Sequence, residues 1–360
     1  MDLQPYGILD AGVRRAEHVS PAGAATQFAS GLNTSRFGFR GSEDLEDGVE
    51  AIFRLESGFN PGTGVSSNTA SLFDRTAMVG FRARDWRLQL GRLEGFAYEL
   101  AAEGATDPLS TAFNLPNYAS PPAAGSKAPV LGVNPLQGLL SYTYGQLRFN
   151  NSVKVTTQEG PWSLGGFHAL GGVSGSLQAD SVNGAHIGWN AAGLRWDALV
   201  QQSRDLHGVH STLLAAAASG HLGHWKLLAG TSDLRVGAGF DSGTLGNGAS
   251  ASGILGTSTT VSPALASSGQ EFHLRIHDAG LTWTADSGAS LTFAGYRTLT
   301  QGRGPGDSLA LAVLGKRPLG RRTTLYLGFD HSTSGGRLAA GPVSGSPVGN
   351  AVTAGLNQRF

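Results

Sequence analysis

Residues 34–64 read TSRFGFRGSEDLEDGVEAIFRLESGFNPGTG. In RFGFR, Arg36 and Arg40 fall on one face of an extended segment, and Phe37 and Phe39 fall on the other. Past GSEDLED (41–47), Val49, Ala51, Phe53 and Leu55 oppose Glu50, Arg54 and Glu56. Two period-two segments joined by a polar turn make a β-hairpin. The carboxylates of the turn lack the ligand spacing of an EF-hand, so they are read as a turn and not as a calcium loop. Beyond Leu55 the chain runs into a longer polar connection at 58–71.

This unit recurs along the whole chain. Blocks of alternation lie at 3–14, 32–41, 48–57, 72–82, 86–93, 147–157, 162–172 and 182–190. Eight more lie at 193–203, 210–220, 224–236, 271–284, 288–299, 307–316, 321–332 and 349–360. Short turns such as 83–85, 158–161, 190–193, 220–224, 285–288 and 317–320 alternate with longer polar connections at 15–31, 58–71, 94–146, 237–270, 300–306 and 333–348. Ten-residue segments with short links at one end and long links at the other are the pattern of an up-and-down transmembrane barrel. The expected fold is therefore all-β, a single 16-stranded antiparallel barrel domain over residues 1–360.

Composition agrees with that reading. The 360 residues include 54 glycines, while charged residues are only 14% and apolar residues 40%. Such a chain is too apolar for disorder and has the turn residues that many strands need. Formal net charge is +0, which gives no electrostatic case for nucleic acid. Of 26 basic residues only four are Lys, a bias towards fixed planar cations. The absence of cysteine removes disulfides, thiolate metal sites and thiol nucleophiles. No apolar run is long enough for a membrane-spanning helix. MDLQPYGILDAGV has neither the charged nor the apolar region of a signal peptide, so a leader is expected to have been removed.

Barrel width decides which face is outside. Sixteen strands enclose more space than side chains can fill, so the lumen should hold water and the apolar face should meet lipid. Trp86, Trp162, Trp225, Trp283, Tyr6 and Phe360 lie near strand ends, where interfacial aromatic girdles belong. The alternation slips near His277–Ala279, and a bulge or a late strand start is expected there.

The 34–64 stretch resembles the first hairpin region of general porins of β-proteobacterial outer membranes. LQPYGILDAGV (3–13), LFDRTAMVGF (72–81), LQLGR (88–92), RFNNSVKV (148–155) and AGLNQRF (354–360) resemble the same family in the same order. The resemblance implies a bacterial outer-membrane location, a homotrimer in contact with lipid and lipopolysaccharide, and passive diffusion of small hydrophilic solutes. It also implies that 94–146 is a third external loop folded into the lumen. The basic residues matching the family's constriction are Arg36, Arg75 and Arg148, with Arg40 and Arg92 as further candidates. Acidic partners are expected from Glu94, Glu99, Glu103 and Asp107, although the loop departs from the family pattern in its insert SPPAAGSKAP (120–129). Phe360 matches the C-terminal aromatic that the barrel-assembly machinery reads, and by parity it points outward while Arg359 points into the lumen.

A ring of arginines in a narrow water column selects for anions, so a weak anion preference is expected. A porin selective for particular small anions is the nearest alternative. A closed barrel acting as an adhesin through its external loops is a reading from another class. Enzymatic chemistry finds no support. On a strand, His273 and His277 stand about 13 Å apart, too far for one ion. His221 and His224 have no third ligand, GRGPGD (302–307) lacks the context of a phosphate loop, and no Ser/His/Asp set can be assembled. No cofactor or metal is expected.

Overall fold

The computed structural model describes residues 2–20, 23–29, 31–67, 71–102, 148–240, 271–302, 305–336 and 348–360. Its strands begin with β1 (Asp2–Ser20), β2 (Gly23–Ala29), β3 (Arg36–Asp44), β4 (Glu50–Gly58), β5 (Thr76–Arg82) and β6 (Trp86–Glu94). After a short helix α1 (Phe96–Ala102) come β7 (Arg148–Glu159), β8 (Trp162–Ala169), β9 (Val182–Ala191), β10 (Leu194–Arg204) and β11 (His210–Leu222). The remaining strands are β12 (Trp225–Val236), β13 (Phe272–Thr284), β14 (Ser290–Gly302), β15 (Gly306–Pro318), β16 (Thr323–Gly336) and β17 (Val348–Arg359).

Each strand pairs antiparallel with its neighbour, and β17 returns to β1 with Ile8 opposite Arg359 and Ala16 opposite Ala351. On its other side β1 meets β3 over residues 2–8 and β2 over residues 12–20. β2 and β3 thus share one place in the wall. The seventeen segments make a closed ring of sixteen positions, and among the described residues the ladder is interrupted where β2 pairs with β1 alone and beside residues 9–11 of β1.

Register carries one side-chain face around the ring. Phe37, Phe39, Val79, Phe81, Leu90, Val153, Leu164, Leu214, Leu227, Phe293, Leu311, Leu327 and Val352 are exposed on the outside. Trp86, Trp162, Trp225 and Trp283 sit outside at the short-turn end. There Trp162 stands opposite Trp189 and packs edge-on against Trp196, with centroids 5.6 Å apart. Tyr6 departs from the expected girdle. It shares the face of Arg36 and Arg40 and points inward, where its hydroxyl donates to Glu56 Oε2 at 2.8 Å.

Four local expectations need correction. Residues 15–31 were expected to form one long connection, yet β1 runs to Ser20 and β2 lies within that span. Residues 300–306 were also expected as a long connection, whereas β14 reaches Gly302 and β15 starts at Gly306. The strand expected over 72–82 starts only at Thr76, because Asp74 and Arg75 turn in to bond Gly58 and Glu56. No bulge interrupts β13, whose pairing with β12 and β14 is continuous. What changes near His277 is polarity. Leu274 and Ile276 are buried in an inner apolar cluster, while Arg275 and His277 take the opposite face and bond Asp233 and Thr231.

Inside the wall that cluster receives α1. Phe96, Ala97 and Leu100 pack on Phe149, Phe167, Leu199 and Leu213. Two inward glycines shape the seat. A Cβ at Gly165 would lie 2.4 Å from Phe96 Cζ, and one at Gly184 would lie 3.4 Å from Phe96 Cδ2. The Phe96 ring stacks on His186 with centroids 5.5 Å apart. The first turn of the 94–146 segment therefore lies inside the barrel. Residues 103–147, with Glu103, Asp107 and the 120–129 insert, lie outside the described residues, as do 241–270.

Candidate functional site

The inner wall between β1 and β7 carries a network centred on Glu56. Glu56 is fully buried, and its carboxylate accepts from Arg75 Nε at 2.5 Å, Arg54 Nη2 at 2.7 Å and the Tyr6 hydroxyl. Arg36 Nε lies 3.6 Å away. Pairing explains how these groups sit side by side. Tyr6 faces Gly38, Arg36 faces Gly58, and Arg40 faces Arg54. Strands β1, β3 and β4 thus present Tyr6, Arg36, Arg40, Arg54 and Glu56 to one patch of lumen. Gly38 is needed there, since a Cβ would lie 2.4 Å from Leu55 O and 2.9 Å from the Tyr6 ring. Arg40 stays exposed to the lumen with its guanidinium 5.4 Å from the Tyr6 centroid.

Arg75 reaches the same patch from the loop before β5. It is 3% exposed, and its Nη2 donates to Tyr98 Oη of α1 at 3.3 Å. Arg148 lies over the Tyr98 ring at 4.3 Å and donates to Glu94 Oε1 at 2.7 Å. Lys154 donates to Glu94 O at 2.8 Å and pairs with Glu99. Arg92 donates to Asp74 O and to Asn150 Oδ1. A bulge between β6 and β7, with Gly91 at φ +126° and Asn151 at φ +52°, shifts the register just before these residues.

The electrostatics outside the strands follow from this crowding. Burial disfavours a Tyr98 phenolate, but Arg148 and Arg75 outweigh it and bring the phenol below its ordinary value. Burial pushes the Asp74 carboxyl up, against the Gly58 N–H and the nearby arginines.

Of the residues singled out in the sequence, the structure gathers Arg36, Arg75, Arg148, Arg40, Arg92, Glu94 and Glu99 around one stretch of lumen. Glu94 ends β6, and Glu99 projects from α1. The sequence reading missed Glu56, Arg54, Tyr6, Tyr98 and Lys154. Arg54 and Glu56 were visible as the polar face of β4, but their convergence with Arg75 depends on a loop fold that alternation does not reveal. Among the described residues no group of three His, Cys, Asp or Glu side chains is placed to hold a metal ion.

A second basic zone lies nearer the short-turn end. There Arg40, Arg54, Arg82 and Arg87 join Gln4 and Gln89 around a recess of about 350 Å³. Arg82 is paired with Glu50 at 2.5 Å.

Known proteins resemble this chain at several levels. The family model for the Gram-negative porin matches residues 2–337. An outer membrane porin protein of Bordetella pertussis is 44% identical over 86 residues, which are 24% of this chain and 22% of that relative's length. Among solved structures, the anion-selective porin from Comamonas acidovorans superposes with a TM-score of 0.69 at 18% identity, covering 100% of this chain and 99% of the other. The trimer form of OmpT from Vibrio cholerae has a TM-score of 0.66 at 10% identity, with the same coverage. At such identities the likeness is one of fold.

Proposed function

Because this chain belongs to the Gram-negative porin family, we propose that it forms a passive diffusion channel in the outer membrane whose lumen is an electrostatic filter with a weak preference for anions. The supporting observation is the Glu56 network. One carboxylate is shared among Arg36, Arg54 and Arg75, while Arg40 is exposed to the lumen without an ion pair to an acid among the described residues. Among the described residues of the patch the cations Arg36, Arg40, Arg54, Arg75, Arg92, Arg148 and Lys154 outnumber the carboxylates Glu56, Asp74, Glu94 and Glu99 by three. Guanidinium groups hold their charge at any working pH. In a narrow water column with low-dielectric walls, that excess attracts anions and repels cations.

The filter involves no chemical step. Solutes that fit past α1 and the arginine-bearing wall diffuse through, and those that do not are excluded by size. Arginines on β3, β4 and the β5 loop line the lumen beside Glu94 and Glu99, which are paired with Arg148 and Lys154, so the unbalanced charge of the wall orients dipolar solutes in passage. The relatedness in fold to a porin named as anion-selective agrees with this charge balance. Assembly as a homotrimer is part of the proposal, in keeping with the trimer form of OmpT. Recognition of Phe360 by the barrel-assembly machinery is part of it too. Phe360 is exposed outside the wall, and its backbone pairs with Gly7 in both directions at 3.1 Å.

The test is single-channel recording in planar bilayers under a salt gradient. Stepwise conductance with a reversal potential of anion sign is the expected result. A cation-signed reversal potential would refute the filter, and absence of steps would refute the channel.

A further inference from the structure

The side of β1 that faces β2 and β3 has a gap. β3 leaves β1 at Ile8 and β2 joins it at Gly12, so the residues between have no strand partner there. Asp10 sits in that gap and is fully buried. Its backbone is completed by a side chain: Asp10 N donates to Ser35 Oγ at 3.0 Å, and Ser35 Oγ donates to Asp10 O at 3.1 Å. Its carboxylate gathers residues 31–33. It accepts the N–H groups of Gly31 at 2.6 Å, Leu32 at 3.0 Å and Asn33 at 3.1 Å. It also accepts from the Tyr326 hydroxyl at 2.8 Å and Asn357 Nδ2 at 2.7 Å. Five donors on one carboxylate hold the segment to β1, β16 and β17 at once.

The segment so held lies within the barrel. Leu32 is buried against Tyr296, Leu314 and Tyr326, which share the inward face of β14, β15 and β16. The Tyr326 ring fills a slot walled by glycines. A Cβ would lie 2.5 Å from the Tyr326 hydroxyl at Gly12, 2.2 Å from it at Gly355, and 2.1 Å from Cε2 at Gly31. Asn33 and Thr34 stay half-buried shortly before Arg36, and Asn33 Oδ1 accepts from Asn357 Nδ2 at 3.2 Å. In the order of the ring, α1 rests on β9 and β10, half a circumference from β1.

We propose that residues 31–35 are a second jaw of the pore, latched by Asp10 and Tyr326, which sets the width of the lumen opposite α1. Residues 31–35 carry no charged side chain, so the jaw governs solute size and leaves ion preference to the arginines. The proposal rests on the channel reading above.

Because the chain has no cysteine, Asn33→Cys supplies a single thiol in a silent background. A charged methanethiosulfonate added to an open Asn33→Cys channel is expected to lower its conductance by roughly a third or more, since it fills part of a narrow lumen. The unsubstituted channel is expected to ignore the reagent. Tyr326→Phe keeps the ring in its slot but removes the hydroxyl that bridges Asp10 and Gly31. In liposome swelling it is expected to raise uptake of a trisaccharide relative to a pentose by roughly twofold, with an unchanged reversal potential. A folded Asn33→Cys channel whose conductance is indifferent to the reagent overturns the jaw, as does a Tyr326→Phe channel with an unchanged sugar ratio. Either result alongside normal wild-type steps leaves the channel reading standing, whereas a wild type without steps removes the channel reading itself.

Discussion

Replacing Glu56 with Gln tests the filter most directly. The substitution keeps the shape of the side chain, but its one amide oxygen can accept either from Arg75 or from Tyr6 and Arg54, and the NH2 replaces the other acceptor. It removes one negative charge from among three arginines. For a permeating ion passing at about 6 Å, one unit charge in water is worth about 0.7 kcal/mol. Screening over a Debye length of about 10 Å at 0.1 M salt reduces this to about 0.4 kcal/mol. The effect is favourable for an anion and unfavourable for a cation, so the permeability ratio rises by about 3.5-fold towards anions. Lower local dielectric would enlarge it. Reversal potentials in a tenfold chloride gradient, at 0.1 M and again at 1 M salt, provide the assay. The shift is expected to shrink at high salt, as screening requires. An unchanged potential, or movement towards cations, would refute the argument that this carboxylate offsets the arginines. Loss of a buried carboxylate from its ion pairs also costs about 3–5 kcal/mol, so the folded barrel is expected to melt at lower temperature in a gel-shift assay.

Tyr98 adds a pH signature. Its phenol titrates below the ordinary tyrosine range, so raising the pH towards that range places a new negative charge between Arg75 and Arg148. Anion preference is expected to decline there, and the decline is expected to vanish in Tyr98→Phe. Phe96→Ala empties the seat formed by Gly165, Gly184 and His186, with a cost of about 3–5 kcal/mol to the docking of α1. Larger conductance and more frequent current fluctuations are the expected result, with a barrel that still resists denaturation by detergent. Leu327→Arg places a charge on the outward apolar belt, and a loss of about 2–4 kcal/mol of stability in lipid is expected if it sits at mid-depth. Equal stability of that variant would argue against lipid contact at β16.

The architecture was legible because period-two alternation is local. A strand shows its two faces in ten residues, and turn residues mark its ends. β6, β9, β10 and β12 therefore appear within two residues of their expected bounds. The misjudged places are those where tertiary contacts override the pattern. Residues 32–35 alternate well enough to pass for strand, but Asp10 draws the N–H groups of Leu32 and Asn33 out of the wall. Phe73–Arg75 do the same, because Asp74 caps Gly58 and Arg75 is drawn to Glu56. The arginines could be picked out by face and motif, yet their shared acid could not. Glu56 is one of several carboxylates on the inward face, and only the meeting of β1, β3, β4 and the β5 loop distinguishes it.

The meeting of β1 with β17 has a consequence for how the molecule forms and yields. Gly7 and Phe360 join residues separated by nearly the whole chain, and closing a loop of that length costs about 5 kcal/mol in chain entropy before any ladder bond repays it. This seam is therefore the last to zip, and every earlier intermediate carries two sticky edges. Once shut, the ring leaves a selvedge at β2, which among the described residues pairs with β1 alone. A strand with neighbours on both sides must break two ladders together to open, so amide exchange along those strands should approach the global limit, with β2, paired to β1 alone, exchanging sooner.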